Sequence, residues 1–249
     1  MGIQGRIQLE QKFSRIENPS VSVIIPVLNE ESILERLLLS LISIQQASPN
    51  FEVIVVDGGS SDRSVEIASD LGAILVRSPV PSRSIQCNLG ASFANGSIFF
   101  FLHADCLPRK EFISNIMNAV QNGSLTGCFR IKYDEPQHWW LKINAYYKAL
   151  NWGFLRFGDQ GLFLKKQIYF RTGGYSDEWK VMEDAEYVRR LRKKYSFSVL
   201  PDFLIVSSRK FQKHGLLKLQ FVYFICTLLF AFGFGPTRIE RAYQFLLGR

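Results

Sequence analysis

Four cysteines, three histidines and no apolar run long enough to cross a bilayer mark what this 249-residue sequence has little of. Cys87, Cys106, Cys128 and Cys226 contain no C-x-x-C pair and no compact framework, which argues against structural zinc and a disulfide scaffold. A reducing cytoplasm is the expected setting. The stretch Met1 to Pro19 has no apolar core of the kind a secretory leader needs, so a loose arm before the first strand is expected. FVYFICTLLFAFGFG, Phe221 to Gly235, is bounded by Gln220 and Pro236 and falls short of the roughly 20 apolar residues of a span. Two readings of it stay open: a helix packed on the protein, or one lying on the inner face of a membrane. Internal repeats and low-complexity tracts are missing too.

What the chain does have is apolar content, 47%, enough to bury a substantial core, and a net charge of +8. That charge suits a partner carrying phosphate: a nucleotide, a nucleic acid or an anionic membrane surface. Nucleic acid is not expected, because the positive residues are spread along the chain rather than gathered in a stripe.

The apolar residues alternate between two periods. VSVIIPV (Val21 to Val27) and FEVIVVD (Phe51 to Asp57) predict buried strands; Ile33, Leu34, Leu37, Leu38, Leu41 and Ile42 predict a helix with Asn29 as its cap. A second helix is expected from about Arg63 to Leu71, a strand over AILVR, and a third helix over Ser82 to Asn95 closed by Gly96. SIFFFLHADCLPR then carries an apolar strand into a polar end. The order predicts an α/β fold with a doubly wound, mostly parallel nucleotide-binding sheet, in which ligands sit beyond the carboxyl ends of the strands. Asn29, Glu30, Asp57, Gly58, Gly59 and Asp105 all fall there.

Beyond a helix from about Lys110 to Gln121 the pattern loosens: CFRIKY, the aromatic QHWWLKINAYYKALNW read as a helix between strands, and QGLFLKK. EDAEYVRRLRKKY is helical and charged, and FSVLPDFLIVSS returns to strand. The expected organisation is an arm over 1–19, an α/β domain over 20–208 and a helical extension over 209–249.

Three acidic constellations carry the candidate chemistry. Asp57 before a glycine pair can accept hydrogen bonds from a base or ribose, or simply close a strand-to-helix turn. Asp105, with His103 two residues before it, can hold Mg2+ or Mn2+ against a diphosphate, or can cap the turn at Pro108. Glu183 and Asp184 open a helix, where acids are common for the sake of its dipole, yet either can take a proton from an attacking hydroxyl. Asp159 and Gln160 could face a sugar or form a turn, and Arg83, Arg209 and Lys210 could bind phosphates or be solvated.

In combination, VSVIIPVLNEE, VVDGGSSD, FLHAD and a late ED resemble the family-2 glycosyltransferases of GT-A fold over roughly Ser20 to Tyr195. The resemblance implies transfer of a sugar from a UDP- or GDP-sugar with inversion to an acceptor of unspecified identity, lipid-linked in one reading. It further implies donor-nucleotide contacts from Pro26, Asn29, Glu30, Asp57, Arg83, Ala104 and Arg209, and sugar or acceptor contacts from Asp159 and Gln160. Asp105, with His103, would hold Mn2+ or Mg2+, and Asp184, beside Glu183, would be the base. One departure is plain: His103 stands where the family usually has the first D-x-D aspartate. A small bacterial branch looks similar here, with GDQGLF and the Ser207-Ser208-Arg209-Lys210-Phe211 segment.

Two competing readings remain open on the sequence. A sugar-nucleotide nucleotidyltransferase would use a similar sheet, but VIIPVLNEE has neither the glycines nor the basic residue of its phosphate loop. A non-catalytic nucleotide-sugar-binding or membrane-surface module could keep the fold and lose the chemistry.

Overall fold

The apolar runs VSVIIPV and FEVIVVD form β1 (Val21–Val27) and β2 (Phe51–Asp57), parallel neighbours buried along their whole length. The computed structural model describes residues 12–134 and 160–248. Helices α1 (Glu31–Ala47), α2 (Ser64–Asp70) and α3 (Arg83–Phe93) alternate with β3 (Ile74–Arg77) and β4 (Ile98–Phe101). These four strands lie side by side, all parallel, in the order β3-β2-β1-β4. Covered on both faces, they tolerate continuous apolar sequence. Phe99 and Phe100 point to opposite sides of the sheet into separate clusters, and each buried ring contributes about 1.5–3 kcal/mol.

The sheet then turns mixed. β7 (Leu162–Lys165) pairs antiparallel with β4 and with β6 (Thr126–Tyr133), and β8 (Phe197–Val206) runs parallel to β6. A two-residue strand, β5 (Cys106–Leu107), pairs antiparallel with the end of β8 and completes the eight-stranded order β3-β2-β1-β4-β7-β6-β8-β5. On one face α1 and α4 (Phe112–Gln121) bury Leu34, Leu37, Leu41, Phe112 and Ile116. The other face is covered by α3, α5 (Lys166–Thr172) and α6 (Glu183–Lys194), through Cys87, Ala91, Ile168, Tyr187 and Leu191.

Helices α7 (Arg209–His214), α8 (Leu216–Ala231) and α9 (Pro236–Leu247) end the chain. α8 and α9 build a third cluster, in which Leu219, Val222, Cys226 and Phe230 pack with Trp179, Met182 and Ala185. Trp179 meets Phe230 edge to face with centroids 5.4 Å apart.

Two boundaries differ from the sequence expectation. Asn29 does not cap α1: it adopts a left-handed backbone, φ 55°, and its Oδ1 accepts the Ser61 N–H at 2.8 Å. The capping carboxylate comes from Asp62, which accepts the Glu31 N–H at 3.0 Å and the Ser64 N–H at 3.0 Å, serving the starts of α1 and α2 together. The third helix ends at Phe93 rather than at Gly96. Gly96 lies instead against β1, where its N–H donates to Ser22 Oγ at 2.8 Å and a Cβ would sit 2.7 Å from the Ser22 nitrogen. The aromatic segment QHWWLKINAYYKALNW and Asp159 lie outside the described residues.

Candidate active site

Strand order reverses between β1 and β4: the chain moves outward from β1 to β3 and returns to the far side of β1 with β4. Ligands of open α/β sheets sit at such a point, beyond the carboxyl ends of the strands. The register puts Val27 opposite Asp57 and Ile24 opposite Phe101, so the segments after Val27, Asp57 and Phe101 share one edge. Gln86, from α3, ties this edge together by donating to the Val27 and Val56 carbonyls at 2.9 and 2.7 Å.

Distant segments meet in a small cavity at this edge. Pro26, Arg83, His103, Tyr175, Glu183 and Asp184 are among its lining residues. Asn88 of α3 pulls the Tyr175 segment in, accepting the Tyr175 N–H at 2.9 Å and donating to the Tyr175 carbonyl at 2.9 Å. Arg190 then sets α6 by donating to the Thr172 and Gly174 carbonyls at 2.8 and 2.6 Å. Immediately before α6, Met182 takes a left-handed conformation, φ 64°, uncommon for a side chain of its kind. The strained residue delivers Glu183 and Asp184 to the cavity at the positive end of the helix.

Ion pairs organise the cavity rim. Arg83 donates to buried Glu183 at 2.7 Å. The Glu183 carboxylate is the main reason the Arg83 pKa is raised, against a smaller opposing effect of burial. Lys210 of α7 donates to Asp105 Oδ2 at 2.6 Å. Burial pushes the Asp105 carboxyl up, but Lys210, His103 and Arg83 together outweigh it and hold the group well below the usual carboxylate range. For Lys210 burial lowers the pKa, and Asp105 more than restores it, so the ammonium is firmly charged. Arg209 reaches back across the edge to Glu30 and donates to Ser32 Oγ at 2.6 Å.

The sequence-predicted residues thus fall into groups. Pro26, Arg83, His103, Glu183 and Asp184 share the cavity. Asp105 is joined to them electrostatically through Arg83 and His103, with Ala104 buried beside it. Asn29, Glu30 and Arg209 lie on the loop side after β1. Asp57 is buried at the end of β2, where its carboxylate accepts the Gly59 and Ser60 N–H groups at 3.0 and 3.1 Å. Gln160 is buried at the approach to β7. Sequence reasoning missed Gln86, Asn88 and Tyr175, and it offered no partner for Lys210 or Arg83. Only the strand pairing and helix packing reveal those contacts.

Hard cations such as Mn2+ and Mg2+ want several oxygen ligands, commonly one or two carboxylates with phosphates and water. On the turn after β4 the carboxylate is Asp105, its Oδ2 is taken by an ammonium, and its neighbour two residues earlier is an imidazole. Among the described residues no group of three His, Cys, Asp or Glu side chains is arranged to hold a metal. As arranged, these residues do not fit Mn2+ or Mg2+, because the ammonium on Asp105 Oδ2 repels a divalent ion and no second carboxylate stands two residues away.

A mixed sheet of this order, with a polar edge at the β1/β4 reversal, defines a GT-A-type α/β protein. The chain belongs to Glycosyl transferase family 2, whose family model matches residues 22–176. Among solved structures it is similar to a mannosyltransferase from Pyrobaculum calidifontis in complex with GDP-Man and Mn2+, with a TM-score of 0.67, 19% identity, and coverage of 96% of this chain and 74% of that one. It is also similar to glucosyl-3-phosphoglycerate synthase from Mycobacterium tuberculosis in complex with Mn2+, UDP and glucosyl-3-phosphoglycerate, with a TM-score of 0.56, 20% identity, and coverage of 87% and 81%. Among curated relatives, 4,4'-diaponeurosporenoate glycosyltransferase of Staphylococcus haemolyticus is 41% identical over 140 residues, 53% of this chain and 36% of that protein. Dolichol-phosphate mannosyltransferase of Pyrococcus furiosus is 32% identical over 126 residues, 48% of this chain and 36% of that protein. The matches thus span about a third of each relative's length.

Proposed function

We propose that the chain transfers a glycosyl group from a UDP- or GDP-sugar to an acceptor hydroxyl, with inversion at the anomeric carbon and Asp184 as general base. The observation that carries this reading is the cavity at the β1/β4 reversal, where Asp184 faces Arg83, His103 and Pro26. Glu183 is paired with Arg83, and Asp184 opens the same helix turn on the cavity wall. In the reaction, Asp184 takes the proton of the acceptor O–H while the oxygen lone pair forms the new bond to the anomeric carbon. The bond from that carbon to the diphosphate breaks, and its electron pair leaves on the phosphate oxygen. Arg83 and Arg209 meet the departing charge. Asp57 and the loop after β1 take the nucleoside, and Gln160, buried at the approach to β7, is assigned to the sugar or the acceptor.

The names of two relatives contain dolichol-phosphate and 4,4'-diaponeurosporenoate, which supports an acceptor with an apolar tail. Surface chemistry agrees with that. α8 exposes Leu217, Phe221 and Phe224 with Lys218 among them, which favours a peripheral position on an anionic surface; no described helix is long and apolar enough to cross a membrane.

The deciding experiment is a panel of nucleotide-sugars screened for transfer and hydrolysis, run in parallel on Asp184→Asn. One donor is expected to turn over, and the variant to bind it with little change while turnover drops about 10²–10⁴-fold. Undiminished turnover in the variant would remove Asp184 from the role. Formation of pyrophosphate from a nucleoside triphosphate would favour the nucleotidyltransferase reading instead.

A further inference from the structure

We infer that Lys210, with Arg83, takes charge of the donor diphosphate in this chain, so that nucleotide binding and transfer proceed without a divalent ion. The inference rests on the nucleotide-sugar reading above and concerns how that site handles charge.

Three rim cations share one arrangement: each is anchored on a carboxylate more buried than itself. The Lys210 side chain is 42% exposed against 7% for Asp105, Arg83 is 44% against 2% for Glu183, and Arg209 is 37% against 20% for Glu30. In a metal site the carboxylates would face the ligand and gather the ion between them. Here the three paired carboxylates lie behind, and their cations face outward. An ammonium has three N–H donors and a guanidinium five, so each keeps donors for phosphate oxygens after satisfying its acid. Lys210 and Arg83 together bring the two positive charges that one divalent ion would supply, and both lie close enough to Asp105 to act on its charge.

The Lys210 contact is built by the backbone and is more than a passing surface pair. Cys106 pairs with Val206 in the β5/β8 ladder, and the Ser207 N–H donates to the Asp105 carbonyl at 2.8 Å. This fixes the turn carrying Asp105 against the start of α7, where Lys210 lies. His103, in place of an aspartate, belongs to the same logic: a second carboxylate would add negative charge where the donor's phosphates must come, and no ion would offset it.

The test measures UDP and GDP affinity by calorimetry on the full chain, in EDTA and in Mn2+, for the wild type, Lys210→Met and Lys210→Arg. Mn2+ electron paramagnetic resonance reports the metal directly. Expected for the wild type is nucleotide affinity in EDTA within about twofold of that in Mn2+. Lys210→Met should lose roughly tenfold or more in EDTA while Lys210→Arg keeps most of it. The wild-type Mn2+ signal should stay that of the free ion when nucleotide binds. Wild-type binding that appears only with Mn2+ would overturn this inference and leave glycosyl transfer standing. Failure to bind either nucleotide under both conditions would bring down both. Should Lys210→Met unfold, the wild type in EDTA and Lys210→Arg still decide the matter.

Discussion

Arg83 and Glu183 meet although 100 positions separate them, and their contact joins the start of α3 to the start of α6. Glu183 is buried, so losing its partner leaves a carboxylate with little solvent and no counter-charge. Buried pairs broken on one side commonly cost about 3–5 kcal/mol, but Arg83 is nearly half exposed and screened, so about 1–3 kcal/mol is expected for Arg83→Met. Adding Glu183→Gln removes the stranded charge and should recover most of that stability in urea melts. Donor binding should not recover, because the guanidinium is still missing. A double variant as unstable as the single would show that the pair is not what holds these two helices in register. Cys87, beside Arg83 in the same cavity, is a poor nucleophile, since burial pushes its thiol up.

At the level of elements, the starts of α1 and α2 are one unit. Asp62 caps both, and Glu31 Oε2 returns the favour by accepting the Arg63 N–H at 3.0 Å. Asp62→Ala should destabilise the protein by about 1 kcal/mol at neutral pH. The sign of its pH dependence follows from the shift: burial, the largest single influence, raises the Asp62 pKa, but the hydrogen bonds from Ser64 and Glu31 together outweigh it and lower the value. A depressed folded value means the contribution is whole above the unfolded value, about 3.9, and fades as pH falls through the folded one. The gap between wild type and variant in urea midpoints should therefore close in acid, and a gap that persists unchanged would discount the cap. This unit also shows what was legible. β1, β2 and β4 could be read directly because strands covered on both faces need unbroken apolar sequence, and α1 because its leucines keep helical spacing. Asn29 was a sensible cap by type, yet the acid that serves α1 comes from the next crossover, a non-local choice invisible to spacing. Asp105 and Asp184 stood out as polar ends of apolar or helical runs. Their cationic partners did not, since Lys210 finds Asp105 only through the pairing of a two-residue strand with the end of β8. The direction of β7 was equally hidden, because four apolar residues look alike whichever way they run.

On the scale of the whole molecule, the net charge of +8 and the C-terminal helices point the same way. One face of α8 seals the third cluster with Leu219, Val222, Cys226 and Phe230, close behind the helix that carries Asp184. Its other face exposes Leu217, Phe221, Phe224 and Leu228, spaced to form a single stripe that Phe232 continues, and Phe245 of α9 is exposed as well. Lys218, Arg238 and Arg241 are exposed on the same two helices. An apolar stripe flanked by cations matches a surface with anionic headgroups above an acyl layer, and α8, at 16 residues, is about 24 Å long, too short to span it. Wild-type protein should therefore float with phosphatidylglycerol-rich vesicles, less so at high salt, and Phe221→Ser with Phe224→Ser should leave it in the dense fraction. Both side chains are more than half exposed, so the paired substitution should leave the melting temperature nearly unchanged, separating lost binding from lost fold. Flotation of the variant equal to wild type would assign the stripe to something other than lipid. Loss of flotation with intact turnover on a soluble acceptor would mean that the stripe brings the site to its acceptor and takes no part in the transfer.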